Sequence, residues 1–265
     1  MPLSSHSKAI QQGVIVVLTL LFQFGLAHAE TIEHKGATFW VYRLDLKKGT
    51  LQLFLAEEKG KPQTFKDLEA RLNKQGKQLK LALNSGIYEP TFLFTGLHIS
   101  ERKTIVPLTL RDYVKKRPDE NTPNVFLKPN GVFFIRPDKT AGVLESHAYA
   151  KSGEKPILAT QSGPMLLGDG RIHPAFNEPS KSRLIRNGVG VTKDGTVILV
   201  CSDRTPNKGQ INLYGFAELF RDKLNCPNAL YLDGDISHYF QRNVTGPIPD
   251  TNWFAGILAI VEEKK

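Results

Sequence analysis

Asp233-Gly234-Asp235 is followed at once by Ser237 and His238, so several side chains able to move a proton or bind an oxygen-rich ligand stand together. The apolar run before them, Ala229 to Leu232, is β-compatible and too short for a helix, and reads as a buried strand. Asp233 therefore stands where a buried strand opens into a turn. A carboxylate so placed has a dry side that raises its pKa, and Gly234 lets the backbone approach a ligand closely. The same Asp-Gly-Asp is also an ordinary turn signal.

A second acid has a similar setting. Val189 to Thr192 and Thr196 to Val200, around Asp194-Gly195, predict the clearest hairpin of the chain, with Ser202-Asp203 at its exit. Two strand-end carboxylates on neighbouring strands suit glycoside hydrolysis. One is protonated to release the leaving group, and the other is ionised to activate water or to stabilise charge at the anomeric carbon. Asp203, Asp233 and Asp235 suit divalent-metal ligation almost as well.

Further candidates lie upstream. Lys80 to Leu83 predicts a strand that delivers Asn84, whose amide can bridge sugar hydroxyls or phosphate oxygens, or simply form a turn. The fork of Arg186 suits a phosphodiester oxygen, or a structural acid, better than a lysine would. Ser162 invites a nucleophile reading, but no G-x-S-x-G elbow surrounds it and no His-acid pair is recognisable. It reads instead as a polar strand terminus. His98 is a lone histidine, more often structural than a contact.

In order, Asn84-Ser85-Gly86-Ile87-Tyr88, Gln161-Ser162-Gly163-Pro164, Arg186-Asn187-Gly188, Ser202-Asp203 and Leu232-Asp233-Gly234-Asp235-Ile236-Ser237 resemble the phosphodiester glycosidase domain family. The resemblance runs from about Leu81 to Val261 and includes patterns of the type N-x-G-x-[FY], Q-[ST]-G-P and L-D-G-G-x-S. It implies an enzyme that releases a sugar from a sugar-1-phosphodiester, with Asp203 and Asp233 catalytic. Substrate contacts would come from Asn84, Gly86, Gln161, Ser162, Arg186, Gly234, Asp235 and Ser237. Arg186 would hold the phosphate and stabilise developing charge. A phosphate monoester is already a good leaving group, so acid catalysis need supply less than for an ordinary sugar ether. No cofactor is implied, and metal dependence stays open. In one departure, Asp235 stands where the family pattern has a second Gly, adding a side chain and a charge that would intrude on the pocket. The resemblance also implies that the strands flanking Cys201 and Cys226 are neighbours, which would bring a Cys201–Cys226 disulfide within reach.

The elements that must position these residues are legible in outline. Lys8, the apolar stretch Ile10 to Leu26 and Ala27-His28-Ala29 predict a cleaved signal peptide over residues 1–29. No later stretch is apolar enough to span a bilayer. Residues 30–265 suffice for one domain with a sizeable core. The formal net charge of +9 favours anionic substrates or surfaces, while export and the absence of any RNP, helix-turn-helix or zinc signature argue against nucleic acid. With only two cysteines, Cys201 and Cys226, metal capture by thiolates lacks further ligands at short spacing.

Hairpins are predicted around Lys47-Lys48-Gly49, Pro129-Asn130-Gly131 and Gly168-Asp169-Gly170, helices over Thr64 to Lys74 and Leu213 to Leu224, and a short helix over Leu108 to Val114. Ile157 to Thr160 and Trp253 to Val261 predict further strands. The expected fold is a single-domain α+β protein, mainly antiparallel or mixed β-sheet with a few packed helices. The expected function is that of a periplasmic or secreted hydrolase acting on a small or polymeric sugar phosphodiester of the cell envelope. A non-catalytic glycan-binding protein and a metal-dependent phosphodiesterase are the alternatives.

Overall fold

The computed structural model describes residues 29–55, 61–88 and 91–264. Apart from Ala29, the expected signal peptide lies outside them. Three antiparallel sheets surround one core. The first has the order β1 (Ala29–His34), β2 (Ala37–Leu44), β13 (Val197–Ser202), β12 (Asn187–Val191), β14 (Asn228–Asp233), β10 (Met165–Gly168) and β11 (Arg171–Ile172). The second runs β15 (Tyr239–Gln241), β4 (Lys77–Asn84), β16 (Gly256–Glu263) and β3 (Gln52–Leu55). The third runs β6 (Lys103–Val106), β5 (His98–Ser100), β9 (Leu158–Ser162), β7 (Gly131–Ile135) and β8 (Ala141–Glu145).

The inner faces of all three sheets meet in a single apolar cluster, with Tyr42, Leu199 and Leu230 from the first, Leu53, Leu81 and Leu258 from the second, and Phe133 and Leu158 from the third. Helices seal the outer faces. Strands such as β13 are therefore buried on both sides, and Val197 to Val200 is a continuous apolar run rather than an alternating one.

Helix α1 (Phe65–Asn73) packs Phe65, Leu68 and Leu72 on the second sheet. Thr64 caps it as the sequence predicts, its hydroxyl accepting from the Asp67 amide at 3.1 Å while the Asp67 carboxylate accepts from the Thr64 amide at 2.8 Å. Helix α2 (Ser146–Ser152) sets Tyr149 edge-on to Phe134. Helix α3 (Leu213–Glu218) continues into a π-helical turn over Leu219–Lys223, and together they lay Phe216 and Phe220 on the first sheet. Glycine makes that contact close. A Cβ on Gly190 would lie 2.7 Å from the Cys226 sulfur and 2.9 Å from Phe220. No helix among the described residues is long and apolar enough to cross a membrane.

Two of the expected hairpins form, β12–β13 and β10–β11. Two do not. Strands β2 and β3 belong to different sheets: β2 carries apolar residues on both faces, so it is an interior strand paired with β1 and β13, and the chain then crosses the core to place Leu53 in the second sheet. Around Pro129-Asn130-Gly131 the chain arrives from a 3₁₀ turn (Asn124–Phe126), Asn130 donates its amide to the Val125 carbonyl at 2.7 Å, and β7 pairs with β8 and β9. The short helix over Leu108 to Val114 is absent. Thr109 instead gives both its backbone N–H and C=O to the side chain of Gln161, at 3.1 and 2.7 Å, so a competing partner has replaced the helical ladder there.

The two cysteines are free thiols. Cys201 faces the central core, and Cys226 faces the α3 side of the first sheet. Cys201 pairs with Asn187, whereas the Cys226 sulfur lies against Gly190, three residues along β12 and hence about 10 Å farther down the strand. The expected disulfide is overturned because the sheet itself separates its two halves.

Candidate functional site

The ends of four strands from the three sheets converge on Asp233. Strand β4 ends at Asn84, β9 ends at Ser162, β14 ends at Asp233, and β12 begins at Asn187 opposite Asp233. In a regular β14, Asp233 would share a face with Tyr231, which packs toward α3. Asn187 pairs with Asp233 but Gly188 pairs with Tyr231, so Leu232 is one residue too many. This bulge re-aims the aspartate into the convergence.

Both carboxylate oxygens of Asp233 are held. Oδ1 accepts from the Gly234 amide at 2.7 Å, and Oδ2 accepts from Asn84 Nδ2 at 3.1 Å. Asn84 is fixed in turn, since its Oδ1 accepts from Asn187 Nδ2 and from the His238 amide, each at 3.1 Å. Asn187 Nδ2 also reaches the Asn84 carbonyl at 2.8 Å. Although part of the Asp233 residue reaches solvent, burial of its carboxyl dominates and pushes the pKa up to about 7, against the smaller opposing pull of the Gly234 and Asn84 hydrogen bonds. The site thus holds one acid poised to exchange a proton near neutrality.

Around it, the buried Asn187 Oδ1, Ser85 Oγ and Ser237 Oγ have no hydrogen-bond partner. Tyr88 donates to the Trp253 carbonyl at 2.5 Å, and its hydroxyl is pushed well above its ordinary pKa by burial and then by the Asp233 charge. Burial and then Arg204 lower the His238 imidazole to about 4, so it is neutral at physiological pH. Arg204 is exposed, and its Nη1 donates to the carbonyls of Asp235 and Ser237, the latter at 2.9 Å. Its Nε and Nη2 have no partner among the described residues.

Several sequence expectations require correction. Asp203 follows the end of β13, which β12 separates from β14, and its Oδ1 is engaged in a local turn, accepting from the Thr205 amide and hydroxyl at 2.9 and 2.8 Å. It does not pair with Asp233. The Gln161 side chain is buried and fully engaged by Leu97, Thr109 and Ser146, so it ties a loop to the third sheet. Gly86 is demanded by packing, because a Cβ there would lie 2.8 Å from the Gln161 carbonyl. Ser162 is buried and donates to the Leu232 carbonyl at 3.0 Å, bracing the bulge.

Arg186 is 2% exposed, and the partners of its guanidinium are neutral oxygens. It donates to the Ile211 and Ser182 carbonyls and to the Tyr231 hydroxyl, at 3.2, 3.3 and 3.1 Å. Asp235 is exposed and accepts from the Ile185 amide at 3.2 Å, which fixes the loop to the approach of β12. Gly234 contributes its amide to Asp233, and Ser237 closes the turn by donating its backbone N–H to the Gly234 carbonyl at 2.8 Å. His98 is buried between the Gly96 carbonyl and Thr160 and lowered to about 4 by burial. Among the described residues no group of three or more His, Cys, Asp or Glu side chains could hold a metal ion, and Asp203, Asp233 and Asp235 each serve different partners.

Sequence reasoning missed Asn187, Tyr88 and Arg204. Asn187 was adjacent to a singled-out arginine, and its position opposite Asp233 is a matter of register.

Residues 77–249 match the family model described as phosphodiester glycosidase. The chain is 32% identical over 270 residues to the uncharacterised protein YigE of Escherichia coli strain K12, across 98% of this chain and 99% of that protein. Among solved structures, it shares the fold of the zebrafish N-acetylglucosamine-1-phosphodiester alpha-N-acetylglucosaminidase catalytic domain auto-inhibited by its pro-peptide, at TM-score 0.59 and 17% identity, covering 89% of this chain and 82% of that one. A hypothetical protein from Synechocystis shares it at TM-score 0.52 and 14% identity, covering 88% and 61%. With its strand-end Asp233 carried in the matched segment, the chain belongs to the phosphodiester glycosidase family.

Proposed function

We propose that this protein is an exported hydrolase, periplasmic or secreted, that cleaves a sugar-1-phosphodiester of the cell envelope at the bond between the anomeric carbon and oxygen. The observation that carries the reading is the single buried carboxyl of Asp233, with a pKa of about 7, where the strand ends of all three sheets meet.

The leaving group, a phosphate monoester, departs without much help, so the one proton-exchanging group is best spent on water. Both Asp233 oxygens already accept hydrogen bonds, which suits an ionised resting state. Asp233 takes a proton from water as the water oxygen attacks the anomeric carbon. The bond from that carbon to the phosphate oxygen breaks, and its electron pair leaves with the phosphate. Asn84 and the Gly234 amide hold the carboxylate in place through the transfer. The open nitrogens of Arg204 supply the fixed fork for the phosphate that Arg186 does not.

The test is product mass spectrometry in oxygen-18 water over a panel of sugar-1-phosphodiesters, with and without chelator, beside Asp233→Asn. Heavy oxygen on the sugar, insensitive to chelator and lost in the variant, is the expected result. Heavy oxygen on the phosphate would replace this reading with a phosphodiesterase, and absence of any product with a glycoside still bound would leave a binding protein.

A further inference from the structure

Trp253 is 54% exposed, the only aromatic among the large exposed apolar residues described. Its neighbours in sequence are anything but loose. Asn252 donates from Nδ2 to the Ile236 carbonyl at 2.7 Å, pinning the segment to the loop that follows Asp233. Phe254 is buried, packs on Phe65 with ring centroids 5.0 Å apart, and exchanges backbone hydrogen bonds with Gln63 at 2.8 and 3.0 Å. The backbone that carries this exposed indole is anchored on both sides, so a ligand that covers the ring has less chain to order.

Its position relates it to the site. The Trp253 carbonyl accepts from the Tyr88 hydroxyl, and that hydroxyl lies close enough to Asp233 for the carboxylate charge to raise its pKa. Behind it the Tyr88 ring stacks on Phe92 at 5.3 Å and 24°. Phe92 has a φ of 56°, a left-handed backbone that a bulky residue rarely adopts and that persists only where surroundings enforce it. The stacked Tyr88 and Phe92 rings and the Trp253 segment bonded to the Tyr88 hydroxyl thus lie on the Asp233 side of the molecule, where Arg204 also donates to the loop that follows Asp233.

We infer that Trp253, whose main-chain carbonyl is held by the Tyr88 hydroxyl beside Asp233, is a platform on which the pyranose ring of the substrate stacks. The electron-rich face of an indole attracts the positively polarised C–H groups on the apolar face of a sugar, as it attracts cations and aromatic edges. The assignment rests on reading Asp233 as the hydrolytic carboxylate, and it adds the binding mode of the sugar.

Neutral methyl α-glycosides of glucose, N-acetylglucosamine and mannose test it, because they carry no phosphate and report sugar binding apart from the reaction. Trp40 is the other of the two tryptophans and stacks on Tyr239 at 6.0 Å and 3°. A saturable change in intrinsic fluorescence on adding at least one glycoside should therefore survive Trp40→Phe and vanish in Trp253→Phe. By calorimetry, Trp253→Ala should weaken that glycoside about tenfold, and Trp253→Phe should restore most of the affinity. On any phosphodiester that is cleaved, Trp253→Ala should raise KM by a similar factor and leave kcat near its original value. Unchanged affinity in Trp253→Ala, or a fluorescence change that follows Trp40 alone, would overturn the platform even if hydrolysis is found. A glycoside response at Trp253 without hydrolysis of any phosphodiester would uphold the platform and reject the catalytic reading.

Discussion

Asn84 and Asp233 come from different sheets and meet side chain to side chain, Asn84 Nδ2 donating to Asp233 Oδ2 at 3.1 Å. Because that bond stabilises the ionised carboxylate, Asn84→Ala should raise the Asp233 pKa further above about 7. A charge-assisted hydrogen bond of about 1.5 kcal/mol corresponds to roughly one pH unit. The acidic limb of the kcat/KM–pH profile should move upward by about that much. An unmoved limb would mean that the bond positions nothing in the reaction.

The raised carboxyl also predicts how stability depends on pH. In the unfolded chain Asp233 loses its proton near the model-compound value of 3.8, whereas the folded protein keeps it until about 7. Between those values the folded state binds more protons than the unfolded state, so this residue's contribution to stability declines as pH rises through that window. Asp233→Asn should remove the decline. Thermal midpoints of both proteins at pH 5 and pH 8 decide it, and parallel losses in the two would assign the pH dependence elsewhere.

Arg186 and Arg204 should fail differently. Arg186 is buried among two carbonyls and a tyrosine hydroxyl, and lysine cannot reproduce that fork, so Arg186→Lys should lower the thermal midpoint by several degrees. Arg204→Ala should cost little stability but raise KM for a phosphodiester about tenfold, with weaker inhibition by inorganic phosphate. Equal losses of stability in the two variants would make Arg204 a loop anchor and no more.

Burial pushes both Cys201 and Cys226 thiols up to about 12, which leaves them unreactive in the native fold. Iodoacetamide should label neither in the folded protein and both after denaturation without reductant, and a reductant should leave the thermal midpoint unchanged. A denatured chain that labels only after reduction would restore the disulfide.

What the chain reveals on its own is what depends on neighbours in sequence. Thr64 three residues before Asp67, with Phe65, Leu68 and Leu72 at helical spacing, specifies a capped amphipathic helix, and Asp194-Gly195 between apolar strands specifies a hairpin. Asp233 at the end of Ala229 to Leu232 was legible for the same reason, because an apolar run must be buried and an Asp-Gly must end it. Which of the other singled-out residues join it was decided by register and by sheet assignment. The extra residue at Leu232 turns Asp233 toward Asn84, the order β13-β12-β14 puts a whole strand between the chain ends that carry Asp203 and Asp233, and the two faces of that sheet keep Cys201 from Cys226. Interior strands buried on both faces carry no alternation to say which sheet or which face they serve, so only the packing of three sheets around one core could tell a side chain in the site from one beneath it.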